Sequence, residues 1–123
     1  MDLNEFTDQQ KQSLVDLLVL GMYADGNLDL IEDEKARQVL DSIQFSSDSA
    51  RQYFLDASFA RTRKHGASAQ TTRSYVLEIA KSFPTPGMRR QVYDALKDSL
   101  TSDHNLADKE SELLAVVSEE FKL

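Results

Sequence analysis

The sequence predicts an all-α fold, a compact bundle of about six helices forming a single domain over residues 1–123. Apolar residues recur at helical spacing in six segments, and alternating strand patterns are essentially absent. Capping and breaking residues separate the segments, and the connections have the lengths common in helical bundles. A chain of 123 residues is long enough for one hydrophobic core and too short for two ordinary ones.

Capping signals place the first two helices. Thr7, with Gln10 three residues later, has the form of a capping box, and the apolar spacing then continues through Met22. Asp29 and Glu32 repeat this device before a second helix. The sequence therefore predicts a helix, an acidic connection and a second helix.

The remaining helices follow from similar signals. The polar segment 46–48 offers a cap for a third helix, which ends near Arg63. A fourth helix begins near Ala69 and ends before the two prolines at 84 and 86, which forbid a continuous helix. Thr85 as N-cap and proline at the next position start a fifth helix, and a sixth begins near Asp108.

Some residues predict packing. Gly21 lies inside the first helix, where glycine costs about 1 kcal/mol relative to alanine, so we expect it to allow another helix to approach closely. Aromatic residues on the apolar stripes are expected to fill the core. They are Tyr23, Tyr53, Phe54, Phe59, Tyr75 and Phe83.

Composition excludes several classes of function. Fourteen basic against 21 acidic residues give a net charge of −7, which argues against binding to nucleic acids or anionic membranes. The chain has no cysteine, so disulfides, thiolate nucleophiles and Cys-ligated zinc are excluded. The N-terminus lacks a signal-peptide pattern and the longest apolar run is far short of a membrane span. We expect a soluble, cytoplasmic protein without direct membrane insertion.

The middle of the chain is basic while both ends are acidic. Its cationic residues are Arg61, Arg63, Lys64, His65, Arg73, Arg89 and Arg90. Such asymmetry fits a surface for a protein partner or for homo-oligomerisation, and it also fits ordinary solvated helix ends.

An acidic pattern occurs twice. The residues D-x-N-L-x-x-x-E-x-E stand at positions 25–34 and again at 103–112, each time between two predicted helices. This repetition predicts two pseudo-repeated helix-loop-helix hairpins with equivalent loops.

The first acidic loop has two interpretations. Asp25, Asp29 and Glu32 carry the carboxylate oxygens that hard cations such as Ca²⁺, Mg²⁺ or Mn²⁺ prefer. The same residues are also explained as a turn followed by a helix cap. An EF-hand register fails, because it requires an oxygen ligand at Tyr23 and glycine at Leu28.

No catalytic motif is present in the sequence. His65 and His104 are the only imidazoles, and neither has the context of a catalytic triad. The four glycines are scattered singly and form no phosphate-binding loop. We therefore expect the protein not to be an enzyme.

The stretch ADGNLDLIE, residues 24–32, resembles the A-D-G-x-[IVL]-[DS]-x-x-E signature of the TerB-like family, named for a tellurite-resistance protein. That family consists of small all-helical domains with a weaker acidic motif near the C-terminus, as residues 102–110 form here. The resemblance implies a non-catalytic role associated with stress resistance and with a divalent metal.

The resemblance also implies a set of metal ligands. Carried over by position, they are Asp25, Asp29 and Glu32 in the first motif and Asp103 and Glu110 in the second. The second copy has His104 in place of the glycine and Ala107 in place of the aspartate, so a single bound ion would belong to the first loop.

The sequence thus predicts a non-catalytic TerB-like module in a stress-response or resistance context. It would bind a divalent cation through its acidic inter-helix loops and act through a protein partner. The alternative is a metal-free protein interaction or self-association domain, with acidic ends and a basic middle.

Overall fold

A computed structural model of the chain describes residues 5–25, 34–66, 68–100 and 108–123, without the side chains of 23–25, 34–36, 108 and 109. Within these ranges it contains helices and no strand, which confirms the predicted all-α fold. The helices are α1 Asp8–Asp25, α2 Glu34–Ser42, α3 Asp48–His65, α4 Ala69–Lys81, α5 Pro86–Leu100 and α6 Asp108–Glu120. None of the described helices is long and apolar enough to cross a membrane.

The helices begin where the capping residues predicted. Thr7 Oγ1 accepts a 3.1 Å hydrogen bond from the Gln10 amide, while the Thr7 amide donates to Gln10 Oε1 at 2.9 Å. Ser47 and Thr85 cap α3 and α5, each accepting from the amide three residues further on. These bonds satisfy amides that the first turn of a helix leaves without partners. The predicted cap at Asp29 and Glu32 lies outside the described residues.

α1 is the central helix of the bundle. It contacts each of the other five helices, and every residue from Ser13 to Met22 is buried. Apolar residues therefore occur all round this part of α1, as expected for a helix surrounded by protein. Its neighbours contribute the rest of the core, including Val76, Phe83, Val92, Leu96, Val117 and Phe121.

Gly21 permits another helix to approach α1 closely. A Cβ atom built on Gly21 would lie 3.0 Å from Leu100 Cδ2 and 3.1 Å from Leu96 Cδ1. The expectation that Gly21 accommodates another helix is confirmed, and that helix is α5. Since Leu100 is the last residue of α5 and Gly21 lies in the last turns of α1, the C-terminal ends of the two helices adjoin.

The orientation of α3 differs from the expected one. Tyr53 is 78% exposed, so the prediction that it fills the core is wrong. The buried residues of α3 are Ser58 and Thr62, so the face of α3 that points to the interior carries polar residues. Tyr53 precedes Ser58 by five residues, about 140° around a helix, and therefore faces solvent. Phe54 and Phe59 pack partly buried against the core.

Substitution of Gly21 tests the contact between α1 and α5. We expect Gly21→Val to lower the free energy of unfolding by about 1–3 kcal/mol, because its methyl groups must displace Leu96 and Leu100. Gly87→Ala is the control, since a Cβ there meets nothing within 4 Å and alanine favours the helix by up to about 1 kcal/mol. Urea unfolding measures both; a neutral Gly21→Val would contradict the close packing.

Candidate functional site

The two acidic motifs follow, in the chain, two helices whose C-terminal ends adjoin. The first begins at Asp25, the last residue of α1, and the second begins shortly after Leu100, the last residue of α5. These two helix ends adjoin through the packing of Leu96 and Leu100 on Gly21. We call these two adjoining helix ends the acidic end, because each is followed in the chain by an acidic motif.

Of the five predicted metal ligands, one has a described side chain. Asp29, Glu32 and Asp103 lie outside the described residues, and Asp25 is described as part of α1 without its side chain. Glu110 lies in the first turn of α6, is 1% exposed and interacts within the protein. The described part of the chain contains no group of three His, Asp or Glu residues arranged to hold a metal ion.

The chain segments that follow the acidic end are rich in negative charge. Residues 25–34 carry five carboxylates and no basic residue, and residues 103–112 carry four carboxylates and one lysine. The carbonyl ends of α1 and α5 add the negative pole of each helix dipole. α1 has no basic residue in its last turn, whereas α5 has Lys97. The C-terminal end of α1 therefore has no basic residue of its own to offset this negative pole.

A second polar site lies in the first half of α1. Asp16 interrupts the apolar run of α1 and is 3% exposed. Its carboxylate accepts hydrogen bonds from Ser58 Oγ and Tyr75 Oη at 2.5 Å each. Arg61 donates two more, from Nε and Nη2 at 3.0 Å each. These four bonds, which we call the Asp16 network, join α1 to α3 and α4.

The Asp16 network changes the acidity of its donors. Burial raises the pKa of the Tyr75 hydroxyl above its usual value, and the hydrogen bond to Asp16 raises this pKa further. The hydrogen bond to Asp16 likewise raises the pKa of Arg61. Both donors therefore stay protonated, and the carboxylate keeps its partners at neutral pH.

A cleft of 540 Å³ opens beside the Asp16 network, between α1, α3 and α4. Most of its lining residues are polar, and they include Gln12, Ser74 and Glu78 together with Asp16 and Arg61. The His65 ring also lines the cleft and packs edge-on against Tyr75, with 4.4 Å between the ring centroids. His65 belongs to the basic middle of the chain and lies in the last turn of α3.

The sequence does not reveal this site, because its residues are distant in the chain. Asp16, Ser58, Arg61 and Tyr75 come from three helices, and their spacing forms no motif. The available signal was the single charge of Asp16 within the apolar run of α1. A buried carboxylate needs hydrogen-bonding partners, but the sequence does not identify them.

The basic middle of the chain is largely used within the fold. Four of its arginines bind groups of the same chain: Arg61 binds Asp16, Arg73 pairs with Glu119 and Glu120, Arg89 donates to the carbonyls of Ala80, Phe83 and Phe121, and Arg90 pairs with Asp94. Arg63 and Lys64 are exposed. The exposed basic surface is therefore smaller than the sequence alone indicates.

Comparison with known proteins identifies the family. A family model described as tellurite resistance protein TerB matches residues 11–123. The chain belongs to the TerB family. The match covers α1 from Lys11 onward, the other five described helices and both acidic motifs, so it confirms the resemblance carried by the first motif. Neither the curated proteins nor the solved structures gave a match to this TerB chain.

Substitutions in the Asp16 network test its energetics. Arg61→Leu leaves the Asp16 carboxylate buried without its cation, and we expect the free energy of unfolding to fall by about 3–5 kcal/mol. The double variant Asp16→Asn/Arg61→Leu removes the stranded charge but keeps polar partners for the Ser58 and Tyr75 hydroxyls, so it is expected to be more stable than Arg61→Leu, as measured by urea unfolding.

Arg51→Leu is the matched control for Arg61→Leu. It makes the same change in the same helix, but the Arg51–Asp41 pair is at the surface, so we expect a loss of at most about 1 kcal/mol. A double variant no more stable than Arg61→Leu would show that the stranded carboxylate is not the source of the loss.

The raised pKa of Tyr75 predicts a loss of stability in alkaline solution. An unfolded tyrosine loses its proton near pH 10, whereas folded Tyr75 keeps it. Above about pH 10 the native state therefore binds more protons than the unfolded state. The free energy of unfolding then falls as the pH rises. Tyr75→Phe has no such proton. We expect the stability advantage of the wild type over Tyr75→Phe to shrink by about 1.4 kcal/mol between roughly pH 8 and pH 11.

Urea unfolding of the wild type and Tyr75→Phe at both pH values measures this difference. Other titrating groups are common to the two proteins, so their effects cancel in the comparison. An advantage that stays constant or grows with pH would contradict the raised pKa.

Proposed function

We propose that this TerB-family chain is a non-catalytic binding module that takes up a divalent cation, Ca²⁺, Mg²⁺ or Mn²⁺, at its acidic end. The bound ion would set the surface that the module offers to a protein partner. The proposal extends to a stress-response or resistance context, which the family's description supports.

The adjoining ends of α1 and α5 are the main support for this proposal. Because Gly21 packs against Leu96 and Leu100, the helix ends that precede the two acidic motifs lie side by side. Their carboxylates repel each other unless positive charge intervenes, and a divalent ion supplies it with the oxygen ligands that such ions prefer. The candidate ligands remain Asp25, Asp29, Glu32, Asp103 and Glu110.

The contacts of α2 suggest how the ion could affect the surface. Lys11 is buried in α1 and donates from Nζ to the carbonyl of Ser42 at 3.0 Å, which fixes the C-terminal end of α2. The buried residues Val39 and Leu40 hold the same half of this short helix. The opposite end of α2 follows the first acidic motif. An ion bound there would fix the second end and so the direction of α2.

The chemistry of the described polar site supports a non-catalytic role. Asp16 is the buried carboxylate of the cleft, and its oxygens already accept four hydrogen bonds from the protein. A carboxylate held in this way is poorly placed to exchange protons with a substrate. His65 packs against the ring of Tyr75.

A metal-free interaction or self-association module is the second candidate function. Tyr53 supports it, because this aromatic side chain is 78% exposed and tyrosine is enriched in protein interfaces. The internal pairing of Arg61, Arg73 and Arg89 counts against a broad basic contact surface. The net charge of −7 supports protein partners over nucleic acid.

Thermal unfolding of the EDTA-treated protein tests the cation proposal. An ion present at about ten times its dissociation constant contributes about 1.4 kcal/mol, which raises the midpoint by roughly 5 °C for a domain of this size. We expect such a shift with at least one of Ca²⁺, Mg²⁺ and Mn²⁺. Asp25→Ala is expected to abolish it, and Asp103→Ala is expected to do the same if the motifs share one ion.

The exposed Asp56 in α3 provides the control. Asp56→Ala removes the same charge away from the acidic end and should leave the ion-dependent shift unchanged. No shift with any of the three ions would reject the cation proposal and favour the metal-free module.

A further inference from the structure

We propose that the cleft between α1, α3 and α4 is a binding site for a small ligand bearing an oxyanion, either a carboxylate or a phosphate group. Arg61 would hold this group through the edge of its guanidinium that faces away from Asp16. This inference concerns residues separate from the acidic end and does not depend on cation binding.

The hydrogen bonds of Arg61 leave part of its guanidinium available. Nε and Nη2 both donate to the carboxylate of Asp16, and Nη1 makes no hydrogen bond to the described residues. The Arg61 side chain is 34% exposed and lines the cleft. A guanidinium has five N–H donors in a fixed plane, and its second edge matches the geometry of a carboxylate or phosphate.

The Asp16 network fixes the orientation of this guanidinium. Asp16 is itself held by Ser58 and Tyr75, so the arginine is attached to a rigid group at the helix interface. A buried ion pair is weak evidence for stability, because apolar residues of similar size often stabilise as well or better. Asp16 therefore acts as a positioning residue. It holds the guanidinium in place before a ligand binds, which lowers the conformational entropy that Arg61 loses on binding.

The cleft has the size and surroundings that such a ligand requires. Its volume of 540 Å³ lies within the range of about 300–1,000 Å³ typical of small-molecule sites. Gln12, Ser74 and His65 line it and carry hydrogen-bond donors. Its carboxylates are already paired, Asp16 with Arg61 and Glu78 with Lys81 at 3.1 Å. Neither carboxylate is therefore left as an isolated negative charge that would repel an oxyanion at Arg61.

Nuclear magnetic resonance of the ¹⁵N-labelled full chain tests the proposal. Inorganic phosphate and acetate are titrated separately, with ionic strength held constant by sodium chloride. We expect saturable shifts of the Arg61 Nε–H and of the amides of His65 and Ser74 with at least one anion. Saturation by phosphate alone assigns a phosphate-bearing ligand, and saturation by acetate alone assigns a carboxylate-bearing one. No saturable shift with either anion overturns the proposal.

Two variants on α3 separate the cleft from general surface charge. Arg61→Gln is expected to raise the dissociation constant at least about tenfold, the effect of losing a hydrogen bond from a charged donor. Arg63→Gln makes the same change two residues away, at an exposed position outside the cleft lining, and should bind as the wild type does. Equal losses in both variants would overturn the proposal.

Ser74→Glu keeps the test decisive if Arg61→Gln fails to fold. Ser74 is exposed and lines the cleft, so glutamate there leaves the core intact and places a carboxylate where the anion would bind. We expect the saturable shift to be lost in this variant. Wild-type anion affinity in Ser74→Glu would overturn the assignment of the cleft.

Discussion

The burial of α1 on all sides is the constraint on which the rest of the structure depends. Five helices surround it, so each must find room and chemically suitable contacts on its surface. Gly21 provides the room, because the absence of a side chain lets Leu96 and Leu100 approach. Asp16 adds a chemical requirement, because a buried carboxylate needs hydrogen-bond donors around it. The donors are Ser58, Arg61 and Tyr75, and their hydrogen bonds fix how α3 and α4 lie on α1.

The sequence predicted those features whose causes are local. Thr7, Ser47 and Thr85 bond to amides three residues away, so a short window of sequence contains both partners. The close packing at Gly21 was also predictable. Glycine is costly inside a helix, so its presence there indicates a contact that offsets the cost. The Asp16 network was not predictable, because its partners lie 42 to 59 residues away. Tyr53 was misplaced for the same reason, since the partners of Asp16 determine which face of α3 is buried.

The acidic end and the cleft lie along one helix. Asp16 and Asp25 are nine residues apart, about 14 Å along the axis of α1. The acidic end begins where α1 and α5 finish, whereas the cleft lies against α3 and α4. The two proposed sites, one for a cation and one for an oxyanion, thus lie at different places along the same helix.

The central position of α1 also has a consequence for synthesis. α1 is made early, but α5 and α6, which cover part of it, include residues up to Glu120. At typical translation rates, roughly 5 to 20 seconds separate α1 from the helices that complete its burial. During that interval the nascent chain exposes an apolar helix with an uncovered face. Such a chain is open to aggregation and to capture by a chaperone until its last helices leave the ribosome.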